Sequence, residues 1–459
     1  MTTSSARATW LTLLRRFHFY IGLFVGPFIF IAALSGTLYV ATPQLENEWY
    51  ASALHGETQG EAQPLARQVA VAQQATGGAL RLYAVRPAPQ AGDTTRVMFA
   101  DPSLGASESR ALFIDPVTLA VKGDMTVYGT SGILPLRQWI DYLHRSLLLG
   151  DIGRFYSELA ASWMWVAALG GIALWWLTRP KRKARAPKAN AFAAARRWHV
   201  LLGWLLLAGL LLFSATGLTW SQLAGANVDK MRAAFGWMTP QVQTALQDVS
   251  EQPADPHAEH HMHHGQMTMP EPQVDTSDID ALLTLARTAG IDAVRVEIRP
   301  PRQANQAWTV TEVDRRWPTQ VDAVAIDGEH LRVVDETHFA DFPLMAKLTR
   351  WGVDFHMGIL FGLPNQLLLI AFGLGLCTAI VMGYRLWWLR RPKGAQSNPA
   401  ATLSEAWLAL NGGGRLLTAV VAILLGYALP VMGISLVLFF AVDMLRWQGE
   451  KRRLAALSS

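Results

Sequence analysis

Four histidines are the side chains most able to do chemistry, because each lies next to a long apolar segment. His18 and His199 each follow an arginine pair where such a segment begins, and His144 and His356 each lie in a short stretch just before another one. Polar groups at membrane depth are costly and commonly functional. An imidazole in that position can bind a metal or haem iron, transfer a proton or contact a quinone.

An internal repeat relates these histidines in pairs. We call the spacing from His18 to His199 the first offset, and the longer spacing from His144 to His356 the second offset. The first offset also relates four glycines in pairs, Gly22 with Gly203 and Gly36 with Gly217. A tandem duplication accounts for both offsets, with an insertion in the second copy between about 218 and 285.

Parallel repeats in a membrane are related by a pseudo-two-fold axis along the membrane normal. We therefore expect His18 to face His199 near the cytoplasmic side, and His144 to face His356 near the outer side. Opposed imidazoles suit the two faces of a six-coordinate haem. The chain has one cysteine, Cys377, which excludes covalent attachment through two thiols. The pattern predicts two b-type, bis-histidine haems, with quinone binding, proton transfer and a non-haem metal as alternatives.

Arginines near the histidines are candidates for binding haem propionates, because a guanidinium pairs bidentately with a carboxylate. The candidates are Arg15, Arg16, Arg196 and Arg197 for the inner haem and Arg145 for the outer one.

The composition indicates a membrane protein. Of 459 residues, 51% are hydrophobic and 16% charged, and there are 18 tryptophans. The net charge of +5 comes from basic residues beside apolar segments, which is typical of cytoplasmic loops and not of nucleic-acid binding. The first apolar run is too long for a cleaved signal peptide, so we expect it to remain as an anchor in the lipid bilayer.

The predicted fold is a polytopic α-helical membrane protein with two outer α+β domains and six crossings. It is a parallel repeat of helix, outer domain and helix, followed by a C-terminal hairpin. Pro430 interrupts the last apolar stretch, 415–445, so one kinked helix is the alternative to the hairpin. The predicted boundaries are: cytoplasmic N-terminus and helix 1, 1–40; first outer domain, 41–137; His-bearing helix and helix 2, 138–180; basic loop, 181–195; helix 3, 196–221; second outer domain, 222–346; His-bearing helix and helix 4, 347–392; linker, hairpin and tail, 393–459.

A histidine- and methionine-rich segment, 257–270, lies in the insertion. Its possible ligands are His257, His260, His261, His263, His264, Met262, Met267 and Met269. Imidazole with thioether suits copper, and imidazole alone suits zinc or nickel. A solvated loop without a metal is the alternative.

Three motifs together resemble the PepSY-associated transmembrane helix family over about 10–395. They are RRxHxxxG with a later Ser/Thr-Gly, LHRSLLLGxxGR, and LWW followed two residues later by Arg-Pro. The resemblance implies PepSY-like modules as the outer domains and haem held between the helices. It also implies a place among inner-membrane reductases that release iron from ferric siderophores in the periplasm. The second copy reads FHMGILFGLPN where the first reads LHRSLLLGDIGR, so we expect the outer haem site to be asymmetric.

The expected function is therefore transfer of electrons from the inner to the outer haem, and then to a ferric siderophore or another periplasmic metal complex. The sequence has no GxGxxG motif after a strand, so the electron donor is expected to be a quinol or a cytoplasmic reductase. Two other functions stay open. One is a non-haem membrane regulator, and the other is copper handling or cupric reduction through the histidine- and methionine-rich segment.

Overall fold

The computed structural model describes residues 3–179, 190–246, 274–303, 305–390 and 403–458. The chain divides into two compact units. The helical unit comprises Met1–Tyr39, Asp141–Ala234 and Leu367–Ser459, and the sheet unit comprises Val40–Ile140 and Phe235–Gln366. The histidine- and methionine-rich segment and most of the basic loop lie outside the described residues.

Fifteen α-helices occur in the described part of the chain. Their bounds are α1 Thr3–Tyr20, α2 Gly26–Trp49, α3 Ala51–Leu54, α4 Leu65–Ala75, α5 Pro135–Ser146, α6 Gly150–Thr178, α7 Ala191–Leu205, α8 Leu207–Thr219, α9 Leu223–Ala234, α10 Ile279–Thr288, α11 Leu344–His356, α12 Leu363–Leu389, α13 Leu403–Leu408, α14 Gly412–Ala428 and α15 Pro430–Ser458.

The described residues contain four helices long and apolar enough to cross a membrane: Arg7–Trp49, Gly150–Thr178, Leu363–Leu389 and Pro430–Gly449. The pair α7 and α8, bent by 59°, makes a fifth if it is one span. The shorter apolar helix α14 has 17 residues, or about 26 Å at 1.5 Å per residue. The sixth predicted crossing therefore depends on α14, which is short for a bilayer core of roughly 30 Å.

The first long helix is interrupted by a π-helical segment, Ile21–Val25. Pro27 has no N–H to bond the carbonyl of Leu23 in the preceding turn, so that carbonyl needs another donor. The hydroxyl of Tyr384 supplies it at 3.0 Å. The bend between α7 and α8 falls at Leu206, which the first offset relates to Val25. The π-helical segment and this bend therefore lie at positions that the first offset relates, each about two turns after a histidine.

The strands form one eight-stranded antiparallel sheet in the order β4-β3-β2-β1-β5-β6-β7-β8. The strands are β1 Arg81–Arg86, β2 Thr95–Ala100, β3 Glu108–Ile114, β4 Val121–Tyr128, β5 Val296–Arg299, β6 Trp308–Glu312, β7 Ala323–Asp327 and β8 Arg332–Thr337. Strands β1 and β5 meet with Val85 opposite Ile298.

The sequence predicts two separate outer α+β domains, and the structure joins them in this single sheet. Alone, β1 and β5 would each be an exposed edge with unpaired backbone groups, and their pairing removes both edges. Helices α4 and α10 cover one face of the sheet. Val69 of α4 packs there in one core with Val85 of β1 and Ile298 of β5. Asp280 of α10 accepts hydrogen bonds from the backbone of Leu65 and Ala66 at the start of α4, which ties the halves together.

Helices α14 and α15 lie side by side; that both cross the membrane stays a prediction. Trp407 donates a hydrogen bond to Thr418 of α14 at 2.8 Å, and its ring lies 5.7 Å from that of Phe440 of α15. One side chain can reach both only if α14 and α15 lie side by side. In α15, Asp443 accepts hydrogen bonds from the Tyr20 hydroxyl at 2.5 Å and from Ser404, which attaches the hairpin to the first helix.

Candidate functional site

The inner histidines lie together in the helical unit. The ring centroids of His18, in α1, and His199, in α7, are 6.3 Å apart, and the ring planes make an angle of 72°. A metal–imidazole bond is about 2 Å long, and the ring centre lies about 1 Å beyond the nitrogen, so two opposed ligands have centroids roughly 6 Å apart. The observed spacing matches two imidazoles that bind one iron from opposite sides.

Backbone carbonyls orient both rings. Nδ1 of His199 donates a hydrogen bond to the carbonyl of Ala379 at 2.8 Å. Nδ1 of His18 is buried and has no hydrogen-bond partner among the described residues, although the carbonyl of Ala167 lies near the ring. The second offset relates Ala167 to Ala379, so the two carbonyls are equivalent in the repeat. A histidine with Nδ1–H directed at a carbonyl presents Nε2 as the ligand nitrogen.

A glycine lies against each inner ring. A Cβ atom at Gly171 would be 3.1 Å from Cε1 of His18, and one at Gly383 would be 3.4 Å from Cε1 of His199. The second offset relates these two glycines as well. Neither the carbonyls nor this pair of glycines was identified from the sequence, although the repeat makes the members of both pairs equivalent.

Space for a planar group lies one turn beyond each inner histidine. A Cβ atom at Gly22 or at Gly203 would meet no atom within 4 Å. An apolar groove of about 330 Å³ also lies between α1 and α6, with His18 and Gly170 in its wall. The opposed rings, the oriented Nδ1 atoms and this open space fit a haem held by His18 and His199.

Three arginines from different parts of the helical unit lie near one another. Arg15 and Arg196 are close enough to act electrostatically on Arg390, which directly follows α12. Arg390 was not predicted, because the residue that the second offset relates to it is Thr178. Arg16 lies near the Tyr20 hydroxyl instead, and Arg197 is exposed. Arg15, Arg196 and Arg390 repel one another, so the carboxylates of a bound group would be stabilised beside them.

His144 has its own set of contacts within the helical unit. Its Nδ1 lies 3.0 Å from Oγ of Ser35, and a Cβ atom at Gly36 would be 3.1 Å from its Cε1. Because Ser35 donates its hydroxyl hydrogen to the carbonyl of Ile31, its oxygen can accept from Nδ1–H. The Tyr156 hydroxyl donates to the backbone carbonyl of His144 and so satisfies a carbonyl in the last turn of α5.

Arg145 does not extend freely toward a ligand. Its Nε lies 3.7 Å from a carboxylate oxygen of Asp141, and its guanidinium lies 5.8 Å from the ring centre of Tyr142. These contacts, both within α5, hold the predicted outer propionate partner along its own helix.

His356 is the last residue of α11 and belongs to the sheet unit. The preceding carbonyl, of Phe355, accepts a hydrogen bond from Asn365 at 3.0 Å. His144 and His356 therefore fall in different units, and their pairing around one haem stays a prediction.

The other histidines behave as the sequence indicates. His55, His330 and His338 are exposed and pair with Asp93, Asp327 and Asp322 respectively. Among the described residues, no three or more histidine, cysteine or acidic side chains are grouped to hold a metal ion. The candidate ligands between His257 and Met269 lie outside that part of the chain.

These features define a membrane protein whose apolar helices carry paired histidines. The segments that form its β-sheet domain alternate along the chain with those of the helical unit. The sequence matches the PepSY-associated TM region family over residues 15–390, and the chain belongs to that family. A search of curated proteins found no match to this sequence. The family match ends before α14 and α15.

Proposed function

We propose that this protein is a two-haem electron-transfer protein of the bacterial inner membrane that reduces ferric iron, carried as a ferric siderophore, on the periplasmic side. His18 and His199 hold the inner b-type haem, and His144 and His356 hold the outer one. The N-terminus lies in the cytoplasm and the sheet unit in the periplasm, in keeping with the basic residues that follow α6 and α12.

One observation carries the proposal. The ring centroids of His18 and His199 are 6.3 Å apart, and each ring lies near a backbone carbonyl, that of Ala167 or of Ala379, at positions that the second offset relates. A histidine that only bonds a neighbouring helix needs no partner of this kind at matched depth. The arrangement is what two axial ligands of one iron require.

When bound, the haems supply reversible one-electron chemistry across the bilayer. The chain's own residues prepare that function. The carbonyls of Ala167 and Ala379 set the direction of the inner imidazoles, and Gly22 and Gly203 leave room beside them. Arg15, Arg196 and Arg390 neutralise propionates, and the surrounding apolar helices exclude water.

The sheet unit would supply the surface on which a ferric siderophore docks. Reduction suits release of the metal, because hard oxygen chelators hold Fe(II) far less tightly than Fe(III). A membrane quinol or a cytoplasmic reductase would supply the electrons. Because PepSY-like modules also suit regulation without haem, the first experiment has to test for the cofactor itself.

The test is a visible absorption spectrum of the full chain purified in detergent, with a pyridine haemochrome count. We expect a Soret band, sharp α and β bands on reduction, and two haems per chain. His18→Ala and His199→Ala should each remove one haem, and His144→Ala and His356→Ala the other. His338→Ala, a change at an exposed histidine paired with Asp322, is the control and should keep both. A folded but colourless protein would contradict the proposal and favour the regulator.

A further inference from the structure

Three arginines of the sheet unit contact the short loop 130–132, which leads into α5, and two more arginines share carboxylates with them. We call this group the arginine cluster: Arg86, Arg96, Arg299, Arg315 and Arg350. Arg86 donates to the carbonyls of Thr130 and Ser131. Arg96 donates to the carbonyl of Gly132 at 2.6 Å. Arg315 donates to the Ser131 hydroxyl at 2.7 Å.

The guanidinium groups of Arg86 and Arg96 both lie against Gly132 in this loop. A Cβ atom at Gly132 would lie 2.8 Å from Nη1 of Arg86 and 2.9 Å from Nη1 of Arg96. Like charges at such short range repel each other, and the repulsion is stronger where water is partly excluded. Something must compensate for this cost.

Two buried carboxylates compensate only in part. Glu297 accepts from Arg86 at 2.7 Å and from Arg299 at 2.6 Å. Asp354 accepts from Arg315 at 2.6 Å and from Arg350 at 2.9 Å. Each carboxylate is therefore shared by two arginines, so four of the five arginines pair directly with two negative charges and Arg96 pairs with neither.

The carboxylates lie beneath the arginines. The side chains of Glu297 and Asp354 are 4% and 2% exposed, whereas those of Arg86 and Arg315 are each 16% exposed. Those of Arg299 and Arg350 are each 26% exposed. The surface that solvent meets is therefore formed by guanidinium groups, with the negative charges behind them.

Arg96 is the arginine that internal contacts explain least. It forms no ion pair with any described carboxylate, and its partners are the Gly132 carbonyl and the ring of Phe113, whose centre is 4.9 Å away. Burial and the charges of Arg86 and Arg295 lower the pKa of Arg96 to about 9, although the nearby carboxylates of Glu46 and Glu297 partly oppose that change. It is still charged at neutral pH, and a buried charge without a direct counter-ion is costly. A role in holding the loop does not require that charge, because a neutral amide could donate to the same carbonyl.

We propose that the arginine cluster binds an anionic ferric chelate, one whose iron-binding groups are carboxylates or catecholates. The inference rests on the proposed function, since it names the class of chelate that the reductase accepts. Guanidinium groups recognise planar oxygen anions by paired hydrogen bonds, which a lysine cannot do. Their partial burial also suits a compact anion better than the headgroups of a lipid surface, which exposed and flexible basic side chains bind.

The test measures binding without reduction. The probe is gallium(III) citrate, an anionic chelate whose metal resembles Fe(III) and is not reduced, titrated into the full-length protein in detergent. The comparison ligand is a gallium(III) trihydroxamate, which has no excess negative charge. We expect the citrate complex to bind at least tenfold more tightly, and added salt to weaken its binding.

Arg96→Gln is the decisive variant, because it removes the charge and keeps a polar side chain at that position. We expect it to weaken binding of gallium(III) citrate about ten- to a hundredfold, as for loss of a charged hydrogen bond, in a protein that still folds and has the haem count of the unchanged protein. Arg96→Lys keeps the charge and should retain part of the affinity. Arg67→Gln is the matched control, since Arg67 is an arginine of the same unit bonded only to Gln63. It should bind as the unchanged protein does.

Three results would overturn the inference: equal binding of the two gallium complexes, unchanged affinity in Arg96→Gln, or complete displacement of gallium citrate by phosphatidylglycerol vesicles. The haem count of the same samples separates this inference from the proposed function. A colourless protein that binds gallium citrate would refute the haems and keep the anion site. A haem-containing protein that fails to bind it would refute the anion site alone.

Discussion

The inner and outer histidines have different surroundings, although the same predicted duplication relates the members of both pairs. Around His18 and His199 the two copies use equivalent parts: a carbonyl at Ala167 or Ala379, and a glycine at Gly171 or Gly383. Around His144 the Ser35 hydroxyl lies beside the carbonyl of Ala32, whereas His356 ends a helix beside the ion pairs of Asp354. The inner site therefore has the features of a symmetric cofactor site, and the outer site has room to specialise.

This difference has a functional consequence. An inner group that only relays electrons needs two ligands and a dry, fixed environment, which two identical halves supply well. An outer group that hands electrons to a substrate must be reached from one side, so identical halves would be a disadvantage. The asymmetry of the segments after His144 and His356 agrees with this division of labour.

The largest expected effect comes from filling the open space beside the inner histidines. Gly22→Leu or Gly203→Leu should abolish binding of the inner haem and leave one haem per chain, because the added side chain occupies the space that the macrocycle needs. Gly449→Leu, at another helical glycine with no atom nearby, is the control and should keep both haems. A count of two haems in Gly22→Leu would show that the space serves something else.

A smaller effect tests how far the inner symmetry extends. Gly171→Ala should weaken the inner haem, by about 1–3 kcal/mol for an overpacked contact, because the new methyl group lies 3.1 Å from the ring of His18. Gly383→Ala creates an ordinary contact at 3.4 Å and should have little effect. Haem transfer to apomyoglobin measures both affinities, and equal losses would contradict the difference in packing.

A still smaller effect should distinguish the outer site from the inner one. Ser35→Ala removes the acceptor for Nδ1 of His144 and should weaken the outer haem by about 1 kcal/mol, or roughly fivefold. The inner haem should not change. Redox titration followed by the α bands resolves the two centres, and Thr37→Ala, at a hydroxyl bonded to the carbonyl of Ala33, is the matched control. An equal shift of both centres would argue against separate sites.

The last prediction should leave both haem sites intact. Burial alone raises the pKa of Glu297, but the charges of Arg86 and Arg299 outweigh it and hold that pKa below its ordinary value. Its stabilising contribution is therefore present at neutral pH. It is lost as the pH falls below about 4.3 and through the folded-state pKa. The melting temperature of the sheet unit should fall over that range. In Glu297→Gln the melting temperature should be lower at pH 7 and should change less as the pH falls.

Much of the helical unit could be predicted from the sequence, because a bilayer demands apolar runs of a known length. Helix positions and the arginine-flanked histidines follow from that demand, and the hairpin follows from charge on both sides of Pro430. The boundaries differ from the predicted ones: the first helix continues past 40 to Trp49, and α5 begins at Pro135, before 138. These ends depend on local caps and turns rather than on apolar length.

The amino-acid order alone thus determined the apolar segments, the family and the residues that can bind a metal, since side-chain type and spacing carry that information directly. Tertiary structure alone decided that β1 and β5 join the two halves in one sheet, because backbone pairing between strands leaves no distinctive side-chain pattern. It also decided that carbonyls of Ala167 and Ala379 face the inner imidazoles and that Arg390 joins Arg15 and Arg196. A carbonyl is present at every residue, so only the packing of helices selects which one a histidine meets.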